Sequence, residues 1–182
     1  MTAFNPPDVS DTVSPATVDK VGKVVLLPPE PLVPEKTTFI EAGPIVIGVE
    51  DRHITTESLQ ALYAGNPEHA ATFAARQGDV EDKGISIHVL SAATRLEHLR
   101  FDCFDEDPHY HYITHDEDGG LRNRWVIYDR AANGAMLSWA LDCLRHHLPH
   151  MLACAGADPE MVGVDPATIT RLVDEVEALT TR

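Results

Sequence analysis

The stretch HLRFDCFDEDPHYHYITH, residues 98–115, decides how this chain is read. Apolar and polar residues alternate on either side of the acidic run Asp105-Glu106-Asp107. Alternation with a period of two marks strands, because successive side chains leave a strand on opposite faces. A strand over 97–104 sends Leu99, Phe101 and Cys103 to one face and His98, Arg100 and Asp102 to the other. A strand over 108–114 separates Tyr110 and Tyr112 from His109 and His111. Tyrosines offer more apolar area than imidazoles, so the register that buries them turns both histidines away from the core. The acidic run between the strands reads as a solvated hairpin loop.

Working outward, further strands are expected over 45–49, 85–90 and 123–128, where β-branched and aromatic residues cluster. In the 85–90 strand, His88 is set against Ile85, Ile87 and Val89. Connections are short and polar, as in a meander. Thr55 or Thr56 can cap a short helix that Gly65 ends, and Pro67 opens a second that ends at Gly78. A long helix runs from Gly134 to Ala155, with Leu137, Ala140, Leu141, Leu144, Leu148, Met151 and Leu152 as its apolar stripe and Pro149 as an interruption. A last helix starts at the Asp165-Pro166 cap and reaches Thr180. The expected fold is α+β and two-layered: a mainly antiparallel sheet packed on the long helix of the C-terminal half. Residues 37–182 form this single domain. Residues 1–36 form an extended arm, broken by seven prolines and carrying one apolar patch, Val24 to Leu27.

Composition narrows the function classes. Fourteen basic and 29 acidic residues give a formal net charge of −15. Such a surface repels phosphate, which argues against nucleic acid and anionic membranes as partners. No apolar run approaches the ~20 residues needed to span a bilayer, and the first residues lack the pattern of a secretion signal. Cys103, Cys143 and Cys154 are odd in number and form no CxxC pair, which fits free thiols in a reducing, cytoplasmic compartment. GxSxG, P-loop and GxGxxG signatures are all absent.

The sheet face opposite the tyrosines gathers His88, Arg100, Asp102, His109 and His111. A His-x-His pair on a strand can chelate a divalent metal, with His98 or Asp102 as a third ligand. The same face can hold an anionic small molecule through Arg100, Asp102 and His88. It also reads as a solvated or subunit-facing polar surface. His146 and His150 have helical ligand spacing, but His147 stands where a zinc protease needs glutamate, and Pro149 disturbs the register.

The segment from Gly84 to Ala155 resembles an uncharacterised family of small bacterial proteins that share a block like HLRFDCFDEDPHYHYI before an amphipathic helix. That resemblance implies no known activity. His-x-His is also the strand motif of cupin metal sites. Only His109 and His111 match it here, because Cys103 replaces the expected glycine and Glu117 falls beyond the expected glutamate.

Three functions follow as expectations. The first is a non-catalytic accessory or binding subunit, joined to a protein partner or to its own copies through the N-terminal arm. The second is a small metal-dependent enzyme using His109, His111 and His98 or Asp102. The third is a metal-free binder of an anionic small molecule. The cofactor, if any, is a divalent metal.

Overall fold

The computed structural model describes residues 24–26 (backbone alone), 30–65, 79–117 and 120–181. The expected helix over 67–78 lies outside the described residues.

Among the described residues, seven strands form one antiparallel sheet. They are β1 (Val24–Leu26), β2 (Thr37–Ala42), β3 (Ile45–Thr55), β4 (Glu81–Ser91), β5 (Glu97–Phe104), β6 (His109–His115) and β7 (Leu121–Ile127). From β2 to β7 each strand pairs with the next in sequence, a continuous meander. The sheet order is β1-β7-β6-β5-β4-β3-β2. The first strand therefore sits at the far edge, with Val24 opposite Val126. The patch at Val24 to Leu26, expected as part of an irregular arm, is an edge strand of the sheet itself.

The helices are α1 (Thr56–Tyr63), α2 (Arg130–Asn133), α3 (Met136–Cys154), α4 (Pro159–Val162) and α5 (Pro166–Thr180). Thr55 and Ser58 close a reciprocal capping box on α1, and Asp165 Oδ1 accepts the Thr168 N–H at the start of α5. Pro149 lies inside α3, which continues past it to Cys154. None of the described helices is long and apolar enough to cross a membrane.

The fold is α+β, with α3 packed on β5 and α5 packed on β2 and β3. Ile47, Val49, Ile87, Val89, Leu99 and Phe101 point from the sheet into this layer. They meet Ala140, Leu144, Leu148 and Leu152 of α3 and Leu172, Val173 and Val176 of α5. Tyr110 and Tyr112 pack against the same core, half-buried. Burial of such side chains is worth about 1.5–3 kcal/mol each, which fixes the strand register and thereby the opposite face.

That opposite face is not solvated, contrary to one expectation. Glu50, Arg52, Ser86, His88, Arg100, Asp102, His111 and Asn123 on it are all buried. The chain must travel from β1 at one edge to β2 at the other. The described part of that path, residues 30–36, bonds to the polar face. Arg100 Nη1 donates to the Glu30 carbonyl at 2.7 Å, and the Val33 N–H donates to Glu50 Oε2 at 3.1 Å. Arg52 Nη2 lies 2.9 Å from Glu30 Oε2. Each contact gives a buried charge a partner, without which its burial would be prohibitive.

Candidate metal centre

Four adjacent strands bring the site together. In register, Asp102 of β5 faces His109 of β6, and Arg100 faces His111. Ser86 of β4 faces Asp102 from the other side. In β7, Trp125 faces His111, and Asn123 faces Ile113. Strand parity therefore places Asp102, His109 and His111 on one face, within reach of one another.

The geometry is specific. Asp102 Oδ2 lies 3.2 Å from His109 Nε2 and 3.0 Å from His111 Nε2. Ser86 Oγ donates to Asp102 Oδ1, which fixes the carboxylate plane. The other nitrogen of each ring is engaged with an oxygen. His109 Nδ1–H donates to the Asp107 carbonyl at 2.5 Å, and His111 Nδ1 pairs with Asn123 Oδ1 at 2.8 Å. One ligand atom from each of the three residues falls within 4.8 Å of the others. All three residues are buried.

The acidic loop is part of this construction. Asp82 Oδ1 accepts the Glu106 N–H at 3.1 Å, and its Oδ2 accepts the Asp107 N–H at 2.9 Å. Asp82 thus sets the loop that presents the Asp107 carbonyl to His109.

Burial alone would raise the Asp102 carboxyl. The close approach of His109 and His111, with the Arg100 charge, instead holds it well below the usual carboxylate range. Burial pushes His111 below its ordinary value in spite of Asp102. A neutral His111 that donates from Nδ1 directs an Nε2 lone pair at a carboxylate oxygen.

Arg100 and His88, expected as anion-binding residues beside Asp102, belong to a second network. Arg100 Nε and Nη2 form a two-pronged bond to Glu97, at 2.8 and 2.6 Å. With Nη1 on Glu30, all three guanidinium nitrogens are engaged inside the chain. His88, fully buried, places Nδ1 2.7 Å from Glu97 Oε1 and Nε2 3.5 Å from Glu50 Oε2. Burial raises Glu97, but the Arg100 charge and the His88 and Arg100 hydrogen bonds outweigh it and bring its pKa down to about 2.

His98 stands apart from His109 and His111. A register shift pairs Leu90 with Glu97 but Val89 with Leu99, so His98 is an extra residue in β5. Its ring meets His115 edge-on at 5.4 Å between centroids, and it hydrogen-bonds near Ala155. Strict alternation places Glu97 with Leu99 on the apolar face. The shift instead brings the Glu97 carboxylate to the polar one. Sequence reasoning missed Glu97, Ser86 and Asn123. The serine and asparagine follow from parity once strand pairing is known, whereas no local signal announces the shift at Glu97. His150 of the other histidine cluster lies 3.8 Å from Cys154 Sγ on the exposed side of α3.

Residues 39–180 match the family described as Domain of unknown function (DUF7700). The chain belongs to this family. No curated protein and no solved structure matches the chain.

Proposed function

We propose that the protein is a metal-dependent enzyme whose centre is a divalent transition metal held by Asp102, His109 and His111. One observation carries the reading: both Nε2 atoms converge on one Asp102 oxygen while both Nδ1 atoms are engaged with oxygens. With its proton on Nδ1, each ring would turn an Nε2 lone pair toward the carboxylate oxygen. A cation between them removes the resulting repulsion. The Nδ1 partners are those expected around ligating histidines, which commonly give their second N–H to a carbonyl or carboxylate. Donors 3.0–3.2 Å apart also suit one metal, since cis ligands at bond lengths of about 2.1 Å are separated by roughly 3.0 Å.

Three protein donors favour a catalytic over a structural role. Structural zinc closes its shell with four protein ligands, whereas two histidines and one carboxylate leave open positions. That donor set suits iron(II) first, then manganese(II) or zinc. Through the open positions the metal would polarise or activate a bound oxygen ligand. The accessory-subunit reading draws no comparable support, because the described part of the arm bonds to its own sheet.

The test is metal content in full-length protein purified without chelators, followed by cobalt(II) titration after chelator treatment. The reading expects near-stoichiometric metal, with Asp102→Ala, His109→Ala and His111→Ala each weakening cobalt binding by at least 100-fold while circular dichroism is retained. Absence of metal and of cobalt binding would refute it.

A further inference from the structure

The proposed centre has a neighbour whose hydrogen-bonding capacity is unspent. Trp125 stands beside both histidine ligands. Its ring centroid lies 4.6 Å from that of His109 and 6.4 Å from that of His111, on which it stacks at an interplanar angle of 20°. Its indole Nε1 is buried and has no hydrogen-bond partner among the described residues. An unpaired buried donor is costly, and a purely structural wall would avoid that cost by using phenylalanine. Arg52 Nη1, His88 Nε2 and His98 Nδ1 are also buried without a hydrogen-bond partner among the described residues, but none of those side chains is in ring contact with the two ligands. Phe104 meets His109 edge-on at 5.7 Å and supplies an apolar wall without a donor.

The charge around the centre defines what this donor would meet. Glu97 neutralises Arg100 through the two-pronged bond, and among the described residues Asp102 is the carboxylate in ion-pair contact with the two imidazoles. With Asp102 as its one anionic protein ligand, a divalent metal would keep one positive charge in its own coordination shell, between aromatic walls. An anion with two acceptor atoms satisfies both demands. One atom occupies an open metal position, and the other accepts the indole N–H.

Resting on the metal-centre reading, we propose that the exchangeable ligand of this centre is a small carboxylate, and that Trp125 Nε1 donates the hydrogen bond that orients it. Trp125 is then a substrate-positioning residue, distinct from the ligands. A charge-assisted hydrogen bond of this kind is worth roughly tenfold in affinity.

The experiment uses the full chain loaded with cobalt(II) and titrated with acetate and with azide, followed through the visible bands of the metal. Trp125→Phe keeps the aromatic wall and removes only the donor. Expected are unchanged cobalt affinity and about tenfold weaker binding of acetate and azide. Equal anion affinities in the two proteins would overturn the proposal while leaving the metal centre in place. Failure of the wild-type protein to bind cobalt would remove the centre and the proposal together. A second measurement needs no variant. In the zinc-loaded protein, acetate should move the Trp125 indole N–H resonance downfield and leave that of Trp139 unmoved. Trp139 contacts Phe101, Tyr110 and Tyr128 on the helix side and serves as the internal control. A stationary Trp125 resonance at saturating acetate would refute the hydrogen bond even if the variant fails to fold.

Discussion

Glu97→Gln tests the buried ion pair that lies beside the proposed centre. In the folded chain the Glu97 carboxyl falls from its ordinary 4.5 to about 2, although burial opposes ionisation, because Arg100 and His88 bind the charged form. The folded value is depressed, so the associated stability is complete above the unfolded pKa and is lost as pH falls through 4.5 towards 2. At 1.36 kcal/mol per pKa unit the shift corresponds to about 3 kcal/mol. Both side chains are largely withdrawn from water, at 2% exposure for Arg100 and 13% for Glu97, so screening removes little of this. Substitution by glutamine leaves the Arg100 charge buried with only the Glu30 carbonyl and the new amide as partners. Loss of one member of a buried pair costs about 3–5 kcal/mol. Urea unfolding of wild type and variant at pH 7 and at pH 3 measures both quantities. The variant should be less stable at pH 7 by about 3 kcal/mol or more, and the gap should narrow at pH 3. Subtraction isolates Glu97 from Glu50 and Asp102, whose carboxyls are also held low, and from Glu30, which burial raises. A gap of the same size at both pH values would refute the reasoning.

Other outcomes follow from the same geometry. Asp82→Asn weakens the anchor of the 105–107 loop and with it the Asp107 carbonyl on His109, so cobalt affinity should fall by roughly tenfold in a folded protein. Asn123→Ala removes the acceptor that sets the His111 tautomer and should cost 10- to 100-fold in the same titration. Gly84→Ala forces a Cβ to within 2.4 Å of the Cys103 carbonyl at a φ of +156°, and thermal unfolding should show a loss of about 1–3 kcal/mol. Phe101→Ala opens a cavity on the helix side, where Phe101 is fully buried; it should cost about 3–5 kcal/mol and leave cobalt affinity unchanged at temperatures where the variant is folded.

Much of this fold is legible along residues 97–152. Alternation in β5 and β6, together with the apolar stripe of α3, defines which sheet face the helix covers. His109 and His111 fall on the other face as a direct consequence. Legibility ends where geometry depends on contacts far apart in sequence. Thr37–Ala42 has no strong strand pattern of its own and is a strand because Phe39 and Ile40 pair with Gly48 and Ile47. Gly48 leaves room there, since a Cβ would stand 2.7 Å from Thr37 Cγ2. The burial of Glu50, His88 and Arg100 depends on bonds to Glu30 and Val33, which local composition does not reveal. In the site, parity supplies Asp102 as a neighbour of His109 and His111 but cannot exclude His98. The register shift at Glu97 separates them, and such shifts arise from strand pairing rather than from any one residue.

The placement of β1 sets an order on folding. Of the described strands this one leaves the ribosome first, yet Val24 and Leu26 find their partners in Val126 and Arg124, in the last of them to be made. Contacts so distant in sequence are slow to close, because the intervening loop must lose its entropy first. β1 therefore waits for the rest of the sheet, and the edge of β7 stays open until it arrives. During that interval a nascent chain exposes both a strand without a neighbour and a sheet edge that any second strand can occupy, so exchange of β1 between two chains is the characteristic error this topology invites.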